Sequence, residues 1–263
     1  MLATETLITI ALNLLMGAVY AMVGRVVSHR RVSSHAELAK KSFAAWWYAL
    51  SGVTVAGAVA AIMGAMGWWD LGGYLAYIQV ILFIIVGALG ALLYYFVYLF
   101  TGRRDAWKVI AAAYSIYFIA ILYYLGASDP VGLMDSAQNG VDVEYANDLT
   151  GTAFQEILSI LLILPVLLGA IGYVSLVRKV PDRSGKFRIL SVAGGFIFWF
   201  GSSFIAGSLL DVANEPWWRL VSNAIALLAS AMVYVAFAPP AWLRRALRVE
   251  GYDASPDAAD ESK

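Results

Sequence analysis

Few polar side chains interrupt the long apolar runs of this sequence, and those that do fall at similar depths. Arg219 and Asn223 are four residues apart, a spacing that places both on one face of a helix. Glu156 lies about one turn inside another apolar run. An ionisable group inside a bilayer is costly and usually pairs within the protein. We therefore predict that Arg219 pairs with Glu156 beside a cavity that opens to the outside.

These groups predict a binding site for a small polar or anionic molecule, with Arg219 as its anchor. The predicted site gathers the polar residues in the outer half of the apolar runs: Arg219, Glu156, Asn223, Gln79, Ser202, Ser203 and Asn13. Two structural interpretations stay open beside this one. Either Arg219 and Glu156 form a stabilising pair near the interface, or Arg219 extends to the outer lipid headgroups.

Several kinds of site are excluded by residue types that the sequence lacks or places elsewhere. It contains no cysteine, so disulfides, thiolate metal sites and cysteine nucleophiles are excluded. His29 and His35 both lie in one polar loop, which disfavours haem held between helices. The stretch from Asn223 to Ser230 has no lysine that could bind retinal covalently. We therefore expect no catalytic residue, no metal ligand and no cofactor, and we do not expect an enzyme.

The apolar runs themselves predict the fold. The chain is 61% hydrophobic, whereas soluble domains are about 45–50% apolar. An apolar helix of about 20 residues spans a bilayer. Seven runs reach or approach that length: Thr6–Gly24, Phe43–Gly67, Gly73–Phe100, Trp107–Gly126, Thr152–Val177, Phe187–Leu210 and Trp217–Ala238. We predict an all-α polytopic membrane protein, a seven-helix bundle that occupies residues 1–249.

The charges predict how the bundle is oriented. Every one of the 18 Lys and Arg residues except Arg219 falls on one side of the predicted spans. Loops 25–41, 103–108 and 178–188 are basic, and the loops on the other side are acidic. Positive charge beside membrane spans stays in the cytoplasm. We predict a multi-pass plasma-membrane protein, N-terminus outside and C-terminus inside, whose basic clusters contact anionic lipid rather than nucleic acid.

The C-terminal segment is predicted to leave the membrane after the last span. Pro239 and Pro240 end the last predicted span. Residues 241–249 place apolar side chains on one face and arginines on another, as in an amphipathic helix that lies on the inner leaflet. Residues 250–263 are acidic, small and polar, and they predict a disordered cytoplasmic tail.

Two local features follow from short motifs at the start of the second run. Ser34 and Glu37 match the S-x-x-E capping box, in which each side chain pairs with a free backbone N–H of the first helical turn. Trp46 and Trp47 fall at the end of the run, where indole rings prefer the membrane interface. We therefore predict a capped helix start followed by a pair of interfacial tryptophans.

Two stretches resemble a known class of membrane protein. Residues 94–103 read YYFVYLFTGR, and residues 238–245, after the last run, read APPAWLRR. Together with the layout they are similar to seven-helix sensor regions that precede histidine kinases in bacteria and archaea. The resemblance implies a sensor or receptor. No kinase domain follows in this sequence, so we expect any signal to pass to a separate cytoplasmic partner.

Three classes of function remain open. A sensor fits the layout, the single outer Arg219 and the amphipathic helix. A transporter fits a polar interior, although an odd number of helices gives no obvious inverted repeat. An assembly subunit or homo-oligomer fits the small residues on the helix faces, such as Gly87 with Ala91, which permit close helix packing.

Overall fold

The computed structural model describes residues 4–30, 32–127, 163–205 and 216–247, and within these ranges it contains helices and no strand. An apolar segment in a bilayer must satisfy its backbone hydrogen bonds internally, which a helix does. The helices are α1 (Thr4–Ser28), α2 (Glu37–Ala65), α3 (Leu71–Thr101), α4 (Ala106–Ala127), α5 (Ile163–Arg178, with a 3-10 last turn at Ser175–Arg178), α6 (Arg183–Phe204), α7 (Pro216–Phe237) and α8 (Ala241–Leu247).

Five of these helices, α1, α2, α3, α4 and α6, are long and apolar enough to cross a membrane. Helices α7 and α8 pass the same test together and are bent by 61°, so they add a sixth span if they are counted as one. The predicted all-helical fold is therefore confirmed, and five to six of the described helices suit a multi-pass membrane protein by length and composition, but the count of seven is not confirmed. The run Thr152–Val177 is described only from Ile163 onward, as the shorter helix α5. The predicted tail at 250–263 lies outside the described residues.

Neighbouring helices pack in an order that brings α1 and α7 side by side. Helix α4 packs on α3, α3 on α2, and α2 on α1. Helix α1 also packs on α7, which in turn packs on α6. Successive helices run in opposite directions, and loops 29–36 and 102–105, the start of α6 and the end of α7 meet at one end of the bundle. We call it the basic end, because it carries the predicted basic loops.

The contact between α1 and α2 is close, and it depends on glycine. A Cβ atom at Gly17 would lie 2.9 Å from Val55 Cγ2 and 3.0 Å from Thr54 Oγ1. The Ser51 hydroxyl donates to the Gly17 carbonyl across the same contact, at 2.8 Å. A glycine is needed there because only a residue without a side chain lets the two backbones approach so closely.

The contact between α6 and α7 is built in the same way. A Cβ atom at Gly195 would lie 3.0 Å from the backbone oxygen of Ala229. Next to it, Ser230 is fully buried and its hydroxyl donates to the Ala226 carbonyl at 2.6 Å. This intrahelical bond satisfies the hydroxyl, so the polar side chain can lie in a tightly packed interface.

The core of the bundle is aromatic, and it corrects one prediction. Trp46 and Trp47 are 3% and 0% exposed, so their rings pack in the core of the bundle instead of contacting lipid headgroups. Trp47 contacts the rings of Tyr20 and Trp199, at centroid distances of 5.8 and 6.4 Å. Phe196 joins this cluster from α6. The prediction failed because sequence position gives depth along a helix but not the direction in which a side chain points.

The start of α2 corrects a second prediction. The residue before the helix is Ala36, and no side chain caps the first turn. The Glu37 carboxylate instead contacts Lys40 Nζ at 2.9 Å and Lys41 Nζ at 3.8 Å. The capping box was therefore wrong, because the two lysines that follow compete for the carboxylate at helical spacing. Side-chain caps occur elsewhere, where Asp70 and Asp182 accept from the third residue after them at the starts of α3 and α6.

Candidate functional site

The two side chains of the predicted ion pair lie outside the described part of the structure. Glu156 lies outside the described residues, and so does the acidic loop that precedes it. Arg219 belongs to the first turn of α7, but its side chain is not among those described. The pairing of Arg219 with Glu156 therefore stays a prediction.

The remaining five predicted residues have described side chains, and they occupy separate environments. Asn13 is half-buried on α1, with Nδ2 at 3.3 Å from where a Cβ atom of Gly57 would lie. Asn223 is half-buried on α7, whereas Gln79 is exposed on the surface of α3. The hydroxyls of Ser202 and Ser203 both donate to the Trp199 carbonyl, at 2.8 and 3.0 Å.

These positions divide the five residues into those that could still contact a ligand inside the bundle and those that could not. Gln79 faces away from the bundle interior, and the two serines have satisfied their hydroxyls within their own helix. Asn13 and Asn223 are the two that remain half-buried on α1 and α7, helices that pack on each other. Among the five described residues, none lines the cleft between α3 and α4 that is presented below.

A network of cation–carbonyl contacts holds the basic end. A guanidinium nitrogen of Arg30, in the first loop, donates to the Phe237 carbonyl at the last residue of α7. Arg188 Nε, on α6, donates to the Ala236 carbonyl at 3.4 Å. The Arg188 guanidinium also lies over the Phe237 ring, 5.9 Å from its centroid. The last carbonyls of a helix lack intrahelical partners and carry partial negative charge, so these arginines stabilise the end of α7.

The first loop is itself fastened at three further points. Lys40 Nζ donates to the Arg30 carbonyl at 3.1 Å. The Tyr98 hydroxyl donates to the His35 carbonyl at 2.7 Å, and Arg104 donates to the Ser34 carbonyl at 3.0 Å. The loop between α1 and α2 thus connects the end of α7 with α2, with α3 and with the turn before α4.

The turn before α4 carries an exposed ion pair. Arg103 Nη2 lies 2.8 Å from Asp105 Oδ2, and Arg103 Nε donates to the other carboxylate oxygen at 3.2 Å. The hydrogen bond from Arg103 lowers the pKa of the Asp105 carboxyl, and Asp105 in turn raises the pKa of Arg103. Because both groups are exposed to water, the pair orients the turn and contributes little to stability.

A cleft of about 820 Å³ opens between α3 and α4, on the half of these helices nearer the basic end, and Leu38 and Ser42 at the start of α2 also line it. Its walls are mainly apolar, with small residues where the two helices face each other: Gly87, Gly90 and Ala91 on α3, and Ala111 on α4. A Cβ atom at Gly87 would have no atom within 4 Å. Gly87 and Ala91 were predicted to permit close helix packing, and they line an open space instead.

A contact of a lining residue lies near each end of the cleft. Toward the middle of the helices, the rings of Phe83 and Phe118 meet edge to face at a centroid distance of 5.3 Å. Toward the basic end, the Tyr94 hydroxyl donates to the Arg104 carbonyl at 3.3 Å. Between them the cleft is open at the side of the bundle, and it has the shape of a trough along two helices.

Tyr114 is the polar residue of this cleft with the most unusual surroundings. It is 5% exposed, and its ring lies against Gly90, where a Cβ atom would be 3.3 Å from the ring Cγ. Its hydroxyl is buried and has no hydrogen-bond partner in the described part of the chain. A buried hydroxyl normally has a partner, so this one is an exception that requires an explanation.

Sequence reasoning missed the cleft for a physical reason. Tyr114 is visible in the sequence as one of several tyrosines on α4, a pattern that packing explains as well as binding does. Gly87 and Ala91 were predicted to permit close helix packing. Only the rotations of α3 and α4 show that no side chain of α4 fills the space beside Gly87.

No family model matches this chain, and neither a curated protein nor a solved structure is significantly similar to it.

Proposed function

We propose that this protein is a plasma-membrane sensor that binds a small polar or anionic molecule and signals through a separate cytoplasmic partner. The ligand site lies in the half of the bundle away from the basic end, with Arg219 as its anchor. The N-terminus is outside and the C-terminus is cytoplasmic. The observation that carries the proposal is the pair of arginines that fasten the end of α7, directly before the joint that leads to α8.

The orientation follows from the charges at the basic end. Arg30, Lys40, Arg104 and Arg188 all make contacts there. Moving such a cluster across a membrane is disfavoured, so this end faces the cytoplasm. The acidic loop that follows α4 in sequence then faces outward, and so does the first turn of α7, which contains Arg219.

The joint after α7 has the properties that a signalling output requires. Pro239 and Pro240 have no backbone N–H and cannot continue the α7 ladder, which explains the 61° bend before α8. Trp242 on α8 is 69% exposed, and the last turn of α8 carries Arg244 and Arg245. An exposed ring and two cations suit a segment at the boundary between lipid and cytoplasm.

A ligand can influence this joint through the end of α7. If a ligand changes the position of α7 relative to α6, the contacts of Arg188 and Arg30 with its last carbonyls change with it. Because Arg30 belongs to the first loop, the change also reaches α2 and α3. A ligand shifts such an equilibrium only by its difference in affinity for the two arrangements, so the proposal requires two arrangements of α7.

Mass spectrometry of polar small molecules retained by the purified protein tests the ligand site. We expect a specific molecule in the wild-type protein that is lost in Arg219→Ala and reduced in Glu156→Gln. Arg178→Ala is the matched control, because Arg178 is an exposed arginine at the basic end. If all four proteins retain the same molecules, Arg219 is a structural residue and the sensor proposal fails.

Two further measurements separate the sensor from the other classes. Uptake of the retained molecule by proteoliposomes would identify a transporter instead. A stable complex of fixed stoichiometry, purified from native membranes and unaffected by the ligand, would identify an assembly subunit. The sensor proposal predicts no uptake, and a partner whose association changes when the ligand is added.

A further inference from the structure

The cleft between α3 and α4 is large enough for a ligand. Its volume of about 820 Å³ falls within the range of about 300–1,000 Å³ that is typical of small-molecule sites. Protein interiors are close-packed, so a space of this size between two helices is filled by another molecule in the membrane. The apolar walls require that molecule to be lipophilic.

The hydroxyl of Tyr114 separates two kinds of occupant. A hydrocarbon chain would fill the space but would leave the hydroxyl without a partner, which is unfavourable where no water is present. A carbonyl oxygen accepts a hydrogen bond from the hydroxyl and brings no donor that needs a partner of its own. An occupant with a carbonyl group therefore satisfies both the walls and the hydroxyl.

We propose that the cleft between α3 and α4 binds a lipophilic carbonyl compound whose oxygen accepts a hydrogen bond from Tyr114. The hydroxyl is enclosed when the cleft is empty, so the ring turns toward the cleft when the ligand binds. Gly90 has no side chain that would hold the ring in place, and Gly87 leaves open space beside it. Ser115 also lines the cleft and offers a second hydroxyl.

The length of the cleft indicates an elongated ligand. Its α3 wall extends from Phe83 to Tyr94, which corresponds to about 16 Å along a helix. The Phe83–Phe118 ring contact and the Tyr94–Arg104 hydrogen bond lie near its two ends, and the open side gives the ligand access from the lipid. The site is separate from the predicted one around Arg219, so it does not depend on the sensor proposal.

Photolabelling with two matched probes tests this site. The probes are dodecan-6-one and dodecane, whose extended chains are shorter than the cleft, each with a diazirine on the chain, and they are applied to the full-length protein in detergent. We expect labelled peptides from α3 and α4, and about tenfold stronger labelling by the ketone, the ratio that one hydrogen bond of about 1.4 kcal/mol gives. Equal labelling by both probes would overturn the proposal, because the cleft would then hold any hydrocarbon chain.

Two pairs of variants connect the labelling with the cleft. Tyr114→Phe is expected to remove the preference for the ketone, whereas Tyr123→Phe retains it, because Tyr123 is on the same helix but 81% exposed. Gly87→Leu is expected to reduce labelling by both probes. Gly52→Leu, at an exposed glycine of α2 that likewise has no atom within 4 Å of an added Cβ, leaves labelling unchanged. A ketone preference that survives Tyr114→Phe, or labelling outside α3, α4 and the start of α2, would overturn the assignment.

Discussion

The helix pairs α1–α2 and α3–α4 are built alike but pack differently. Each pair consists of two long apolar helices joined by a short polar loop, and each has glycine on the facing surfaces. At Gly17 the partner helix approaches so closely that a Cβ atom would collide with Val55. At Gly87 a Cβ atom would meet nothing within 4 Å. A glycine therefore permits close packing only where atoms of the partner helix occupy the space that it leaves.

The two helix pairs also differ in whether their buried hydroxyl groups have hydrogen-bond partners. The α1–α2 contact satisfies the Ser51 hydroxyl across the interface, by a bond to the Gly17 carbonyl. The α3–α4 cleft leaves the Tyr114 hydroxyl without a partner in the described part of the chain. One interface is complete within the protein, and the other becomes complete when a second molecule is bound.

The largest expected difference comes from one substitution made at both positions. Gly17→Leu should lower the free energy of unfolding by about 1–3 kcal/mol, because the added side chain overpacks a closed interface. Gly87→Leu should cause no loss and a gain of up to about 1 kcal/mol, since leucine favours the helix more than glycine does. Thermal unfolding of both variants in detergent measures the difference. Equal losses would contradict the distinction between the two interfaces.

A second prediction concerns the basic end. Arg30→Gln removes the cation that binds the last carbonyl of α7, and we expect a loss of about 1 kcal/mol. The substitution should also increase the mobility of a spin label attached to a cysteine placed in α8, which is feasible because the chain has no other cysteine. Arg25→Gln, at an exposed arginine of the same helix–loop segment, is the control. An unchanged label mobility would remove the coupling between the first loop and α8.

A smaller effect is expected from Tyr114→Phe in protein that has been stripped of lipophilic molecules. The variant loses an unpaired buried hydroxyl, so its stability should equal or slightly exceed that of the wild type. Adding a lipophilic ketone should then raise the unfolding temperature of the wild type more than that of the variant. A stripped variant that is clearly less stable than the wild type would mean that the hydroxyl already has a partner.

The smallest effect is expected at the exposed turn before α4. The Arg103 hydrogen bond lowers the folded-state pKa of Asp105, so its contribution to stability is present above the unfolded-state pKa and is lost as the pH falls through the folded-state value. We therefore expect Asp105→Asn to be slightly less stable than the wild type at neutral pH and equal to it in acid. Unfolding measurements across this pH range check the sign. A difference that grows in acid would contradict it.

The sequence predicted the parts of the fold that depend on position along the chain. The apolar runs located the helices, the proline pair located the end of α7, and the distribution of Lys and Arg predicted that the basic loops share one end. It did not predict properties that depend on helix rotation. Trp46 and Trp47 turned into the core, Gln79 turned to the surface, and Gly87 turned toward a cleft.

The same distinction between chain position and helix rotation applies to the candidate site. Arg219 and Asn223 could be grouped on one helical face, because their spacing fixes that relation. The sequence could not show that Ser202 and Ser203 use their hydroxyls on the Trp199 carbonyl, since either orientation suits a helical serine. The cation–carbonyl contacts of Arg30 and Arg188 were also hidden, because their partners are backbone atoms far away in the chain.

The most direct test is mass spectrometry of all molecules retained by the wild type, by Arg219→Ala and by Gly87→Leu, each purified from the same membranes. We predict a polar molecule that only Arg219→Ala loses, and a lipophilic carbonyl compound that only Gly87→Leu loses. This result would establish two separate sites in one bundle. The same bulk membrane lipids in all three proteins, and nothing else, would contradict both sites.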